Sequence, residues 1–377
     1  MTNEITLIIE CCKISQDFKL IEEKISQIKN WEDFITLTYS HGVFPLVYQV
    51  LKKYENNIPL DVFAFMKQTY MNVVKTNMLM TSELIKVSNL LEENGINAIA
   101  FKGPVLSVMA YGDVISRQYV DLDILVEKKE LVKTVNLLLD NNYENTLPLE
   151  IISNEICLNT IKDFTVQNKT SKINIEIHWN LFESKYNLAF KKLDILKISN
   201  FLINKNELKT LSNETLLIYL CFHGSKHAWE RIEWISDIDR LIRNNEIDFL
   251  ELDNFLDDNS LLLGLYLSHV LFDTPLDGKY LNKISKEKII DLSKKVFEIM
   301  VDKKYYKDEF YRNKKIFNFQ ISLYNHLSEK INYYLRTFFK ISEEDCQTFY
   351  LGKRNKFLYL FLRPYRIIRK YLKKQIF

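Results

Sequence analysis

Residues 100–126 read AFKGPVLSVMAYGDVISRQYVDLDILV, and this stretch decides the fold. It ends in a D-x-D pattern, Asp121 and Asp123, inside an apolar run. Successive side chains of a strand point to opposite faces, so these two carboxylates would point the same way. Two like charges held side by side repel each other and need a compensating partner. The commonest partner is a divalent cation such as Mg²⁺, which takes carboxylate oxygens together with substrate phosphates. We therefore predict a metal site at Asp121 and Asp123.

A glycine turn precedes the D-x-D pattern. A short apolar strand is expected over residues 97–101, and Gly103 follows it. Pro104 stands where the first helical turn would begin, a position that proline tolerates. The order of strand, glycine turn, helix and D-x-D strand suggests transfer of a phosphoryl or nucleotidyl group.

A third carboxylate lies on a later strand. Residues 163–167 and 172–179 alternate in polarity and predict an antiparallel hairpin with its turn at residues 168–171. The second strand carries Glu176 between two isoleucines. A two-metal phosphoryl-transfer site needs such an extra carboxylate. We expect Glu176 to belong to the site, with a cross-strand ion pair as the alternative.

The rest of the chain has mostly helical patterns. Helices are expected over residues 60–93, 128–142, 213–244, 252–272 and 285–304, and a further strand over residues 201–205. The prediction is an α+β fold in which a mixed sheet with flanking helices lies between N-terminal and C-terminal helical domains. The expected domains are an N-terminal helical region (1–95), the α/β core (96–208), a C-terminal helical domain (209–345) and a basic tail (346–377).

Composition narrows the class of protein. The 377 residues are 47% hydrophobic and contain only 8 glycines and 6 prolines, which favours a helix-rich globular protein. Five scattered cysteines form no C-x-x-C pattern and indicate reduced thiols in the cytoplasm. The N-terminus lacks the basic region of a signal peptide. The longest apolar stretch, residues 261–272, is too short to span a bilayer.

The charge of the chain is uneven. The net charge is +2, yet residues 1–345 carry 42 basic against 49 acidic side chains. The remaining nine basic residues fall within residues 353–374, which contain no acidic residue. This tail predicts a basic amphipathic helix with three alternative partners. It would lie on an anionic membrane surface, bind nucleic-acid phosphates, or dock on an acidic protein surface.

Several motifs together resemble one family. They are Phe101-Lys102-Gly103, Arg117 four residues before the D-x-D pattern, Glu176-Ile177-His178-Trp179, and His223-Gly224-x-Lys226-His227-x-Trp229. In this order they resemble the bacterial uncharacterised nucleotidyltransferase family of the polymerase-β-like superfamily. The resemblance covers roughly residues 30 to 250.

The resemblance implies roles for single residues. Asp121 and Asp123 would be metal ligands, and Glu176 would be a third ligand or the base for the acceptor hydroxyl. Gly103 would let the backbone approach the nucleotide phosphates. The superfamily turn usually reads Gly-Gly or Gly-Ser, whereas Pro104 removes a hydroxyl and an N–H donor here. The phosphate contacts expected to replace them are Lys102, Ser107 and Arg117, although Arg117 would equally pair with Asp113.

Histidines form a second candidate group. At about 100° per residue, a single helix would place His223, His227, Glu230, Trp234 and Asp237 on one face. Such a face would bind a transition metal, line the nucleotide cleft, or simply form hydrogen bonds in the core. The same alternatives of cleft-lining or structural histidine apply to His178.

These observations lead to one functional prediction and one alternative. The chain is expected to be a cytoplasmic nucleotidyltransferase that uses Mg²⁺ or Mn²⁺ and moves a nucleoside monophosphate from an NTP such as ATP. The acceptor would be a protein side chain, a small metabolite or RNA. The alternative is a weak or inactive nucleotide-binding module, which its tail would hold at the membrane surface.

Overall fold

The computed structural model describes residues 2–181, 197–339, 341, 345–346 and 365. The chain forms two compact units, each assembled from several segments. The helical unit comprises residues 1–85, 101–120 and 196–323, and the sheet unit comprises residues 86–100, 121–195 and 324–377. The domain limits expected from the sequence remain predictions.

The N-terminal region is helical. Its helices are α1 (Asn3–Cys12), α2 (Phe18–Ser26), α3 (Trp31–Ser40), α4 (Phe44–Leu51) and α5 (Leu60–Glu93), with a 3₁₀ turn at Lys52–Asn57. Helix α5 matches the predicted helix over residues 60–93. It ends as expected at Gly95, whose positive φ of 68° lets Ile96 N–H return to the Leu91 carbonyl at 2.9 Å.

The middle of the chain alternates between strands and helices. In order, its elements are β1 (Ile99–Ala100), α6 (Gly103–Tyr111), β2 (Asp121–Leu125), α7 (Leu131–Asp140), β3 (Tyr143–Asn145), α8 (Glu150–Ser153), α9 (Glu155–Leu158), β4 (Asp163–Asn168) and β5 (Asn174–His178). Helix α6 begins with Gly103 and Pro104, as predicted. The D-x-D pattern lies on a strand, β2, as predicted. The helix predicted over residues 128–142 is present but shorter, and residues 128–130 form a 3₁₀ turn.

The sheet unit contains a five-stranded mixed sheet with the strand order β1-β2-β5-β4-β3. The β2–β5 pair is parallel and the other pairs are antiparallel. Asn168 closes the β4–β5 hairpin, since its side chain accepts hydrogen bonds from the backbone N–H groups of Thr170 and Ser171. The predicted α+β class, with a mixed sheet and flanking helices, is confirmed.

The two faces of the sheet differ in polarity. One face buries apolar side chains completely, and these belong to Leu122, Ile124, Phe164, Val166, Ile175 and Ile177. Because side chains alternate along each strand, the acidic residues between them all project from the opposite face. The chemistry of the sheet is therefore confined to one face.

After the sheet the chain returns to helices. It first forms the hairpin β6 (Ile198–Ile203) and β7 (Asn206–Leu211), of which the sequence predicted only the first strand. The helices that follow are α10 (Asn213–Lys226), α11 (Ile232–Asn244), α12 (Asn259–Phe272), α13 (Gly278–Ile284), α14 (Glu287–Val301), α15 (Lys303–Lys307), α16 (Glu309–Ser322) and α17 (Leu327–Phe339).

The single helix predicted over residues 213–244 is wrong. The chain breaks between α10 and α11, where Ala228 and Trp229 adopt left-handed φ angles of 53° and 55°. Such a backbone costs about 1–2 kcal/mol per non-glycine residue. Burial of the Trp229 ring offsets this cost, because the ring is fully buried against Gly224 and Gly264, where even a methyl group would collide with it.

The helix predicted over residues 252–272 starts later than expected. Residues 249–255 form a 3₁₀ turn, and α12 starts at Asn259 because Asp258 caps its N-terminus.

The basic tail predicted over residues 353–374 lies outside the described residues apart from Tyr365. Across the described part of the chain, no helix is both long and apolar enough to cross a bilayer.

Candidate functional site

Strands β2 and β5 bring two predicted site residues together. Asp123 of β2 lies directly opposite Glu176 of β5 in the parallel ladder. Asp121 precedes Asp123 by two residues and therefore projects from the same face. On the other side of β5, Asp163 of β4 lies opposite His178. A carboxylate-rich surface thus extends over three neighbouring strands.

His178 joins the two carboxylates. Its Nε2 lies 3.0 Å from Asp123 Oδ1 and 3.3 Å from Glu176 Oε2. Its Nδ1 lies 3.7 Å from Asp163 Oδ2, and Asp163 is itself paired with Lys162. Asp123 and His178 are buried, whereas the Glu176 side chain is 30% exposed. The imidazole therefore holds both carboxylates in position, with Glu176 as the member that solvent reaches.

The electrostatics of Glu176 favour its charged form. The hydrogen bond from His178 lowers the pKa of Glu176, and this effect exceeds the opposing effects of burial and of the nearby Asp123 charge. Glu176 is consequently ionised at neutral pH, as a metal ligand must be.

The geometry of this group suits a divalent cation. Asp123, Glu176 and His178 each offer a ligand atom, and these atoms lie within 4.8 Å of one another. Carboxylate oxygens are the ligands that Mg²⁺ prefers, whereas imidazole nitrogen is more typical of transition metals. We call these three residues the Asp123 group. Asp121, which the sequence predicted as a ligand, shares the face but is not one of the three residues.

The glycine turn belongs to the helical unit. Gly103 opens α6 with a positive φ of 53°, a conformation that a side chain would disfavour. Lys102 Nζ lies 5.4 Å from the centre of the Tyr219 ring. Ser107 is fully buried and its hydroxyl donates to the Asp113 carbonyl at 2.7 Å. Burial of Ser107 argues against direct phosphate contact, while Lys102 remains a proposed contact.

Arg117 is part of a buried charge network. Its Nε donates to both carboxylate oxygens of Asp237 at 3.1 Å, and its Nη2 lies 3.4 Å from Glu233 Oε1. Tyr111 also donates to Asp237 at 2.9 Å. The expected pairing of Arg117 with Asp113 is not observed, because the Asp113 carboxylate accepts hydrogen bonds from the following loop. Arg117 and Asp237 thus bind each other in the core of the helical unit.

The pKa values within this network reflect burial. Burial raises the pKa of Asp237, although Arg117 and Tyr111 oppose the increase. Burial alone would lower the pKa of Arg117, but the Asp237 and Glu233 charges raise it. Arg117 is therefore shared by two buried carboxylates, and Arg231 adds a second cation 3.9 Å from Glu233.

The histidine face expected on one helix is distributed over two. His223 lies on α10, His227 caps it, and Trp234 lies on α11, yet the three rings pack together with centroids 4.9–5.4 Å apart. The other two expected members are elsewhere. Asp237 binds Arg117, and Glu230 accepts a hydrogen bond from the Tyr305 hydroxyl at 2.8 Å. Tertiary packing, rather than a continuous helix, brings these three rings together.

The contribution of Glu233 was not predicted from the sequence, and His178 was predicted only as a cleft-lining or structural histidine. Glu233 shares Arg117 with Asp237, and no local pattern predicts a partner so distant in the chain. His178 lies at the centre of the Asp123 group, and here a signal was available. It follows Glu176 by two residues on a predicted strand, so the same alternation that pairs Asp121 with Asp123 places both side chains on one face.

Comparison with known proteins identifies the family of the chain. The family model described as "Uncharacterised nucleotidyltransferase" matches residues 28–273. No curated protein matches the chain significantly. Among solved structures, the chain is similar to an antigenic nucleotidyltransferase-like protein from Paracoccidioides brasiliensis. Sequence identity is 15%, the match covers 54% of this chain and 90% of the other, and the TM-score is 0.37. Because the family match spans more than half of its residues, the chain belongs to the family of uncharacterised nucleotidyltransferases.

Proposed function

We propose that this protein is a nucleotidyltransferase that uses Mg²⁺ or Mn²⁺ to move a nucleoside monophosphate from an NTP to an acceptor nucleophile. The observation that carries the proposal is the register of β2 and β5, which sets Asp123 beside Glu176 on the polar face of the sheet. Membership of the family supports the class of reaction. ATP is the first nucleotide to test, and the acceptor classes are a protein side chain, a small metabolite and RNA.

The proposed roles follow from the positions of the side chains. Asp121, Asp123 and Glu176 would hold the cation, and His178 would orient Asp123 and Glu176 through its Nε2. A bound divalent cation neutralises phosphate charge and makes the acceptor oxygen a better nucleophile. Glu176 is the partly exposed member, so it is also placed to accept a proton from an acceptor hydroxyl.

A labelling experiment tests the proposal. Purified protein is incubated with α-labelled NTPs and Mg²⁺ or Mn²⁺, and pyrophosphate release and labelled products are measured. We expect the rate of nucleotidyl transfer to fall by roughly 100-fold or more in the D123N variant, because the remaining carboxylates alone cannot balance the charge of the cation. The matched control is D140N, which removes one exposed carboxylate from α7 in the same unit. Transfer by D123N at the rate of D140N would contradict the proposed site.

A second candidate function rests on Pro104. Proline has no N–H, so the first turn of α6 offers one donor fewer to a phosphate than the Gly-Ser turn of the superfamily. This favours a module that binds nucleotide without turnover. Saturable NTP binding without pyrophosphate release would support the second candidate instead. Wild type and D123N would then give the same result in the transfer assay.

The basic tail allows a separate proposal about location. Residues 353–374 carry nine basic side chains and no acidic ones, which is the composition of a segment that binds an anionic membrane surface. Flotation with anionic liposomes compares the full chain with a truncation after Gly352. We expect truncation to abolish binding; unchanged binding would overturn this proposal and leave the enzymatic one intact.

A further inference from the structure

The helical unit contains a cleft that includes no residue of the Asp123 group. Its volume is about 370 Å³, and it is formed by the end of α1 and the loop after it, α4 with the following turn, the end of α6, and α11. Sites for small molecules have volumes from about 300 to 1,000 Å³. The cleft therefore has room for a small organic molecule rather than a bare ion alone.

The charged lining of the cleft favours an anion. The charged residues are Lys52, Lys53, Arg240 and Asp113. The single carboxylate is already engaged, since Asp113 accepts two backbone N–H bonds and the Ser116 hydroxyl at 2.7–2.8 Å. Three cations thus face one carboxylate whose hydrogen-bonding capacity is largely taken by its own loop.

Arg240 provides the observation that points to a ligand. Its Nη2 donates to the Cys12 carbonyl at 2.9 Å, and its guanidinium lies 5.8 Å from the centre of the Tyr111 ring. Its Nε is buried, and no described residue accepts a hydrogen bond from it. Buried donors without an acceptor are rare in folded proteins and usually indicate a water or an ion that completes the site.

Neutral polar groups complete the lining. Gln16 and Gln49 reach the cleft together with the cations, beside the Tyr111 ring. A ligand that carries hydroxyl groups beside its charge would form hydrogen bonds with these amides. Both amides already donate within the protein, Gln16 to the Lys13 carbonyl at 3.4 Å and Gln49 to the Tyr70 and Ser116 hydroxyl oxygens at 3.4 and 3.3 Å. Their side-chain oxygens are therefore the groups that would accept from ligand hydroxyls.

We propose that this cleft binds a small polyhydroxylated oxyanion, either a phosphate monoester or a carboxylate, with Arg240 as the main anchor and Lys52 and Lys53 at the anionic group. A guanidinium forms the strongest hydrogen bonds with oxyanions because both partners are charged. The anionic group would approach the guanidinium from the cleft that Arg240 lines.

Isothermal titration calorimetry at fixed ionic strength tests the proposal on the full chain. The probes are glycerol 3-phosphate, glycerate and glycerol, which share a carbon skeleton and differ in the anionic group. We expect saturable binding of at least one anion and none of glycerol. Preference for glycerol 3-phosphate would assign a phosphate monoester, and preference for glycerate a carboxylate. Absence of binding for all three probes at millimolar concentration would overturn the proposal.

Variants locate the binding. R240Q should weaken anion binding roughly 10- to 100-fold, as expected for loss of a charge-assisted hydrogen bond. The K52Q/K53Q double variant should weaken it about 2- to 10-fold. K67Q/K75Q removes two exposed lysines from α5, outside the cleft, and should bind as wild type does. If R240Q does not fold, K52Q/K53Q decides, since both lysines are exposed; equal affinity of K52Q/K53Q and K67Q/K75Q then contradicts the assignment.

The outcome is independent of the proposed transferase activity. The cleft variants leave the Asp123 group unchanged, and D123N leaves the cleft unchanged. If wild type transfers nucleotides while no anion binds the cleft, only this inference fails. If anions bind the cleft while D123N behaves as D140N, only the transferase proposal fails.

Discussion

Replacing Arg117 by glutamine tests how much the buried Asp237 carboxylate depends on this guanidinium. Arg117 contacts Asp237 at 3.1 Å and Glu233 at 3.4 Å, and all three side chains are at most 8% exposed. R117Q would leave Asp237 buried without its cation, while Glu233 keeps Arg231 at 3.9 Å. Removal of one partner from a buried ion pair costs about 3–5 kcal/mol, so we expect the free energy of unfolding to fall by this amount.

The converse replacement should cost much less. D237N leaves Arg117 with Glu233, which is a balanced pair, and the new amide oxygen still accepts hydrogen bonds from Arg117 and Tyr111. The free energy of unfolding then falls only by the difference between a hydrogen bond to a charged acceptor and one to a neutral acceptor, about 1–2 kcal/mol. The structure therefore predicts an asymmetry in which R117Q is the more damaging change, because only R117Q leaves a buried charge without its partner.

The pH dependence gives a second test of the same network. Burial raises the pKa of Asp237, and Arg117 opposes this increase. Without Arg117 the folded-state pKa rises further above the unfolded value, so the native state of R117Q binds more protons than its unfolded state. Its stability then increases as pH falls from 7.5 toward 5.5, by at most about 1.4 kcal/mol per pH unit for each group. The deficit relative to wild type should shrink accordingly.

Urea unfolding followed by circular dichroism measures these differences at both pH values. The control is K172Q, which breaks the exposed pair of Lys172 and Glu144 at 3.0 Å and should cost no more than about 1 kcal/mol. The reasoning is refuted if D237N costs as much as R117Q, or if the deficit of R117Q stays constant or grows as pH is lowered.

Other changes have equally definite expectations. G224A should destabilise the protein by about 1–3 kcal/mol, because its methyl group would lie 2.5 Å from the Trp229 ring. The control is G278A, whose methyl group meets no atom within 4 Å and should change stability by less than about 1 kcal/mol. Thermal unfolding compares the two variants. H178F should raise the pKa of Glu176, because the hydrogen bond that lowers this pKa is lost. Carboxylate titration by NMR measures the pKa, and a shift in the opposite direction would contradict this cause. The same variant should weaken Mn²⁺ binding roughly 10- to 100-fold, as measured by electron paramagnetic resonance, and unchanged affinity would exclude a positioning role for His178.

Local patterns in the sequence predicted the elements whose signals are local. Helix α5 matches its predicted limits because an uninterrupted 3.6-residue pattern precedes Gly95, which adopts the left-handed conformation that ends the helix. The β4–β5 hairpin matches because its alternation and the Asn168 turn lie within sixteen residues of sequence. In both cases the side chains that decide the conformation are close to each other in the chain.

The same reasoning failed where a distant contact decides the backbone. The pattern over residues 213–244 is helical throughout, yet the chain breaks at Trp229 because Gly224 and Gly264 make room for its ring. For Arg117 the sequence left a phosphate contact and a pairing with the nearby Asp113 as alternatives, whereas its partner Asp237 lies 120 residues further along the chain. A helical or turn pattern carries no information about which remote segment will pack against it.

The sequence by itself determined that carboxylates would project from one face of a strand, since alternation is a property of every strand, and it identified the family motifs. Only the tertiary structure decided that Asp123 lies opposite Glu176, because the register of a parallel pair depends on how separate segments of the chain align. The same packing placed His178 between these carboxylates and enclosed Arg117 with Asp237 in the core. Which charged residues are exposed for chemistry and which stabilise the interior depends on burial, and burial is a property of the whole fold.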